Sequence, residues 1–430
     1  MPDRTICAVF SLAAALAVFL APDLSSASDG GPAVRFVDEN IPKFRAKKEM
    51  IAEYGARYDV LHNRLIERNR AGEDLPCSTQ ILNEVGWWIK YSTERETVER
   101  RLDDLERSLA PDYRDQSAAR KQSAEDGSWG GCYEPWFFRA WNSVDPLREV
   151  LLSGERPEYP LHFLKEVETP ELIAARLRGL IVSRPAKDGR NNRKELNLTV
   201  TGLGQLLWLP LFEDVVSEIV PRAALGAALI EVMDEEWQDP ETGYWGAWYE
   251  ADDGRIVKTE DLSITFHIVS YRSGDVPRRE KLIETLFLTR ERPYPYGWQD
   301  RGTQNTHHTY DVVRIIELVW PDLDAYQRAR ARAEIVIILS RALRIALQQD
   351  GSFDPAPYNS VAEAYYFGVS LLDAAGYLDP EKRFWAEKWK FEARTRTRAR
   401  IIARLEELDS DAPMAKAALR KLYKSPEQAF

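Results

Sequence analysis

The chain has 430 residues, 44% of them hydrophobic and 30% charged, with a formal net charge of −11. That acidic excess excludes a general nucleic-acid or anionic-membrane binder, because nothing supplies a broad basic face. It leaves room for an acidic substrate, since a local cluster of Arg, Lys and His in a cleft can outweigh the global sign.

The first residues, "MPDRTICAVFSLAAALAVFLAPDLSSASDGG", set Arg4 before an apolar run from Ile6 to Leu20 and a small-residue stretch ending Ser25-Ser26-Ala27. This reads as a secretory signal peptide over residues 1–27, too short for a comfortable membrane span, with an uncleaved anchor as the alternative. No later segment is apolar enough to cross a bilayer. The mature protein, residues 28–430, is therefore expected to be secreted or periplasmic, with no membrane attachment once the signal is removed. Cys7 leaves with the signal. Cys77 and Cys132 remain, match no zinc pattern, and are expected either to form one disulfide or to stay as two buried thiols.

Next comes a charged helical stretch over residues 28–110, an N-terminal arm or first hairpin. From there, turn-like glycines punctuate the sequence: "RAGED" (Gly72), "EDGSWGGCY" (Gly127), "KDGRNN" (Gly189), "ETGYWGAWY" (Gly243), "YPYGWQD" (Gly297) and "QQDGSFDPAPY" (Gly351), at gaps of 55, 62, 54, 54 and 54 residues. A recurring interval of this kind marks an array of similar units. Between the glycines apolar residues recur three and four apart, usually as two helices per interval. Examples are "DLSITFHIVSYR" with "RREKLIETLFLT", "NTHHTYDVVRIIELVW" with "DAYQRARARAEIVIILSRALRIALQQD", and "SVAEAYYFGVSLLDAAG" with "PEKRFWAEKWKFEARTRTRARIIARLEEL".

In the last three intervals the helix after the glycine loop is the shorter and less charged. It is expected to lie inside, with the longer helix facing water. The fold class is all-α, an (α/α) toroid or incomplete barrel of about six to seven helical hairpins. One catalytic domain is expected over 28–430, ending in a short helix at 410–430, because no Pro-, Gly- or Ser-rich linker cuts the chain.

The histidines gather where a loop meets an amphipathic helix, in "QDRGTQNTHHTYDVV". Thr303 or Asn305 can cap a helix starting near Thr306. Val312, Val313, Ile316, Val319 and Trp320 then bury one side, while His307, Asp311 and Arg314 share the other. The exposed backbone N–H groups of such a helix start favour anions. His267, in the preceding inner helix, is a candidate partner, and Arg272, Arg290, Arg292 and Arg301 are nearby cations. β-Elimination at a uronic acid uses such groups with neither a metal nor a cofactor. The sugar carboxylate is neutralised by Asn, His or Arg, an uncharged Tyr or His takes the C5 proton, and a Tyr or His protonates the departing O4.

Thr306 to Tyr310, "THHTY", resembles the Asn-His-x-Tyr segment of the helical-barrel alginate lyases and their relatives acting on glucuronate polymers. The resemblance implies a secreted ring of helical hairpins that cuts uronate chains. It makes His308 the histidine and Tyr310 the tyrosine of that segment; His307 stands where the family has its asparagine, with Asn305 as the substitute. Together with His267 and Arg301 these form the expected catalytic set.

The aromatic loops supply Tyr244, Trp245, Trp248, Trp298 and Tyr358 as expected sugar platforms, with Arg272 as a further substrate contact. Plain hairpin packing is the alternative for each loop. The loops also resemble the Gly-Trp repeats of terpenoid cyclases, but no Asp-rich run is present to protonate a double bond. The expected partner is an acidic polysaccharide. Two other functions fit the same scaffold: a glycoside hydrolase using two carboxylates from Glu260, Asp261, Asp300, Asp311, Asp354 and Glu363, and a non-catalytic glycan-binding protein relying on the aromatics.

Overall fold

The computed structural model describes residues 42–71, 73–113, 115–251, 253–298, 305–358, 360–387, 391–408 and 412–423. The signal segment and Gly72 lie outside them, as do Asp300, Arg301 and Thr303. The protein is mostly helical with little strand. Its described residues fall into two compact units, 42–298 and 305–423, each with its own core.

The first unit opens with α1 (Pro42–Arg70), α2 (Pro76–Tyr91) and α3 (Arg95–Ser108), followed by α4 (Trp136–Leu152) and α5 (Pro170–Ile181). The one-turn α6 (Pro185–Asp188) then leads to α7 (Arg193–Trp208), the short α8 (Glu213–Ser217) and α9 (Arg222–Glu231), whose end runs on as a π-turn to Trp237. The unit closes with α10 (Leu262–Tyr271) and α11 (Arg279–Leu288). Three short strands, Val182–Ser183, Trp248–Glu250 and Ile256–Val257, form a small sheet, the first pair parallel and the second antiparallel.

Helices that follow the recurrent glycines pack side by side: α4 lies against α7, and α7 against α10. The intervening α5 and α9 pack on each other. Thirteen of the sixteen residues of α7 are buried. Two glycines let α7 sit so close to its neighbours. A Cβ on Gly202 would lie 3.2 Å from the Trp141 Cα of α4, and one on Gly204 would lie 3.2 Å from the Tyr271 ring of α10.

The N-terminal stretch forms three mutually packed helices rather than a single hairpin. Their core includes Met50, Leu61, Leu65, Val85, Trp87, Leu102 and Leu105, and it reaches Phe137 and Phe138 of α4. A disulfide joins Cys77, in the first turn of α2, to Cys132, just before α4. Beside it Arg101 of α3 donates to Glu84 of α2 (2.8 Å) and to the Cys132 carbonyl (2.8 Å). Glu84 also accepts from the Trp88 indole and the Glu134 backbone.

The second unit holds α12 (Thr306–Val319), α13 (Ala325–Arg341), α14 (Val361–Ala374), α15 (Arg394–Glu407) and α16 (Pro413–Tyr423). Here too the helices after the glycine loops are adjacent, with α12 on α14, and the C-terminal α16 packs on α14 as well. The intervening helices start on strong caps or bury little. Asp324 and Gln327 make a capping box at α13, and α15 buries only Ile401 and Leu405. The long helix expected from Pro380 begins only at Arg394. The segment ahead of it is drawn inward: the Trp385 indole donates to the Ala375 carbonyl (2.9 Å) and the Arg383 guanidinium to the Gly376 carbonyl (2.8 Å).

The glycine punctuation has a local cause. Gly243 has φ of 69° and Gly351 has φ of 98°, backbone that favours glycine. Each also touches a later helix: a Cβ on Gly243 would lie 2.6 Å from the Leu282 nitrogen, and one on Gly351 would lie 2.5 Å from the Arg400 carbonyl carbon. Two residues beyond Gly127, Gly243 and Gly351 stand Trp129, Trp245 and Phe353, all buried. Serine or threonine of the next inner helix receives the backbone N–H of the two tryptophans, Ser143 at 2.8 Å and Thr265 at 3.1 Å.

Candidate functional site

Within the first unit the largely buried helices α7 and α10 present facing polar stripes. On α7, Lys194, Asn197 and Thr201 recur at helical spacing, followed by Gly204; on α10 the matching positions are Ser263, His267 and Tyr271. The Asn197 amide donates to the Ser263 hydroxyl (3.2 Å) near the start of both helices. Gly204 meets Tyr271 two turns further on, so the helices run parallel and in step. Their first turns are locked together by Asp261. This fully buried residue caps α10 by accepting from the Ile264 N–H (3.1 Å) and takes two bonds from Arg193 of α7 at 2.6 and 3.1 Å. A capping acid that is also one arm of a bidentate pair fixes both axial position and rotation of the two helices.

The centre of this face is a pair one turn apart, His267 Nδ1 and the Tyr271 hydroxyl, 3.0 Å from each other with nearly parallel rings. Burial, then the charges of Lys194 and Arg193, lower the His267 pKa to about 3, so the imidazole is neutral at any ordinary pH. Burial, then Arg193 and Lys90, lower that of the Lys194 ammonium to about 8. Around the Arg193–Asp261 pair lie further hydroxyls: Tyr249 donates to the Asn191 side chain (3.2 Å), and burial raises the Tyr296 phenol to about 12. A neutral imidazole bonded to a phenol, with an ammonium nearby, can move protons without a metal. Among the described residues no group of three or more His, Cys, Asp or Glu is arranged to hold one.

The expected site residues divide between the units. His267, Tyr244, Trp245, Trp248, Trp298 and Arg272 belong to the first; Asn305, His307, His308, Tyr310 and Tyr358 belong to the second. Arg301 lies outside the described residues. In the second unit the Asn305 side chain caps α12, accepting from the His307 N–H (2.9 Å). His307 stacks on Phe367 of α14, with ring centres 3.9 Å apart, and its Nε2 is 3.8 Å from the buried Asp311. The Tyr358 hydroxyl accepts from the Thr306 N–H (2.7 Å). The His308 ring centre is 5.6 Å from that of His307. Burial pushes the Tyr310 phenol well above its ordinary range, and Lys421 lies over its ring.

No known protein family, curated protein or solved structure matches this chain.

Three of the expected sugar platforms are corrected by burial. Tyr244 is 1% exposed, Trp245 is fully buried and Trp298 is 6% exposed. The indoles of Trp245 and Trp298 donate inward, to the Met233 and Leu286 carbonyls at 2.8 and 3.0 Å. These rings plug hairpins and offer no face to a sugar. Arg272 is corrected likewise, its guanidinium being held in a bidentate pair with Asp234 at 2.6 and 2.9 Å. The Asn305 oxygen serves as the cap of α12, so a sugar carboxylate would have to be met by its amide N–H groups. Trp248 and Tyr358 remain partly exposed, and Lys258 lies 4.5 Å over the Trp248 ring.

Sequence reasoning missed Lys194, Asn197, Thr201 and Tyr271. A signal for the first three was available: polar residues at helical spacing inside "RKELNLTVTGLGQLLW", a helix otherwise apolar enough to be interior.

Proposed function

We propose that the protein is a secreted or periplasmic lyase that cuts a uronic-acid-containing polysaccharide by β-elimination. The observation that carries this reading is the hydrogen-bonded, neutral His267–Tyr271 pair on the inner face of α10. In the tautomer the reaction needs, Nδ1–H donates to the Tyr271 oxygen and Nε2 keeps its lone pair. Nε2 takes the C5 proton of the uronate, the electron pair forms the C4–C5 double bond, and O4 leaves with the Tyr271 proton. Nδ1 then returns a proton to Tyr271, and exchange with water, which removes the Nε2 proton and restores the one on Nδ1, resets the starting tautomer. A group with a pKa far below neutrality is a weak base, so the sugar carboxylate must be neutralised for C5 to be acidic enough.

The hairpin pattern supports an incomplete α/α toroid as the architecture, since in each unit the post-glycine helices adjoin one another. The Cys77–Cys132 disulfide supports an oxidising compartment. Within the first unit, partly exposed Trp248 is the remaining candidate sugar contact.

The hydrolase reading gains no support from the carboxylate candidates Asp261 and Glu260. Asp261 is committed to Arg193 and the α10 cap, and Glu260 to Arg292 at 3.1 Å.

The deciding experiment is an ultraviolet scan of the purified protein, with chelator, against alginate, glucuronan, pectate and hyaluronan. Elimination creates a conjugated double bond, so absorbance should rise on one of them. New reducing ends without absorbance would make the protein a hydrolase, and no change on any polymer would leave the glycan-binding role.

A further inference from the structure

Lys194 stands out once the charges around it are matched. Arg193 is neutralised by Asp261, and the same carboxylate also takes the Ile264 N–H. Lys194 itself has no hydrogen bond or ion pair among the described residues, although it is partly buried. Its charged neighbours Arg193 and Lys90 are both positive, and His267 is neutral. A sheltered ammonium without a partner costs free energy that an anion would recover. The same stripe carries more polarity than packing needs: Asn197 and Thr201 are 8% and 5% exposed, and Asn197 Oδ1 and Thr201 Oγ1 have no hydrogen-bond partner in the protein.

We infer that Lys194, with the Asn197–Thr201 stripe further along α7, forms a binding site for an acidic sugar next to His267, with Lys194 taking the carboxylate and the unpaired Asn197 Oδ1 and Thr201 Oγ1 taking sugar hydroxyls. The choice of a sugar carboxylate rests on the lyase reading; the existence of an anion site does not. Lys194 is thereby the group that neutralises the uronate and acidifies C5.

The test is binding of sodium glucuronate at constant ionic strength, with glucose and sodium acetate as comparison ligands, read by calorimetry and by the shift in unfolding temperature. Glucuronate should bind and glucose should not. Lys194→Met should weaken glucuronate by about tenfold or more, the worth of a charge-assisted contact, whereas Lys194→Arg should largely restore it. Lys194→Met should also leave the ligand-free unfolding temperature unchanged or raised, because it removes an unpaired sheltered charge; a structural lysine would lower it. Absence of glucuronate binding to the wild type, or equal binding by Lys194→Met, overturns the inference. Glucuronate binding without double-bond formation on any polymer would keep the anion site and discard the lyase. Elimination unaffected by Lys194→Met would do the reverse.

Discussion

His267 and Tyr271 lie one helical turn apart on α10, with Nδ1 and the hydroxyl at 3.0 Å, and burial strips the imidazole of its charge. If this pair moves protons in catalysis, Tyr271→Phe and His267→Ala should each lower kcat by about a hundredfold or more, the usual worth of a general acid or base. Far-ultraviolet circular dichroism should be unchanged. His308→Ala and Tyr310→Phe are the contrasting variants. A full loss there, with His267→Ala active, would move the chemistry to the second unit.

The same histidine should leave a mark on stability. Its ordinary pKa of 6.5 falls to about 3 in the fold. Between these values the unfolded chain takes up a proton that the folded chain refuses, so stability falls as pH drops through that window. Lys194 has a separate window: between about 8 and 10.5 the unfolded chain keeps a proton the folded chain has lost, so stability rises with pH there. Urea unfolding at pH 4 and pH 7 should show a smaller difference for His267→Gln than for the wild type. An identical difference would mean that His267 is not held neutral.

If Lys194 must be charged during turnover, kcat/KM should decline above about pH 8. Lys194→Arg should move that alkaline limb upward, because a guanidinium stays protonated. A limb that stays in place in Lys194→Arg belongs to another group.

Glu84 and Arg101 form a buried pair, with side-chain exposures of 0% and 5%. Replacing Arg101 alone with Met should cost about 3–5 kcal/mol, because Glu84 is left charged and unmatched in the interior. The double variant Glu84→Leu with Arg101→Met should recover much of that loss in urea unfolding. No recovery would show that the remaining bonds of Arg101, to the Cys132 carbonyl above all, carry the effect.

Reducing the Cys77–Cys132 bridge, which spans 55 residues of sequence, should lower stability by about 2–5 kcal/mol. Cys77→Ser with Cys132→Ser should match the reduced protein. Separately, Gly243→Ala should destabilise by about 2 kcal/mol or more, since alanine at positive φ costs about 1–2 kcal/mol before the contact with Leu282 is counted.

What the sequence determined by itself was local. Apolar residues at three- and four-residue spacing make helices wherever the chain runs between caps such as Asp261, Asn305 and Asp324. Glycines at about 54-residue intervals mark the turns, because Gly243 and Gly351 need positive φ and no room for a Cβ. These signals depend on neighbours a few residues away, and a single sequence contains them. The destinations of side chains depend on partners far along the chain, and only the tertiary structure decided those. Trp245 and Trp298 were legible as loop aromatics, yet packing turned them inward, onto carbonyls of an earlier π-turn and helix. Arg193 finds Asp261 across 68 residues, which uses up both charges and leaves Lys194 beside a neutral imidazole. Whether a charge is matched or spare is a property of the folded neighbourhood, so the histidine-rich loop drew attention in the sequence while the polar face between α7 and α10 emerged only when the helices were brought together.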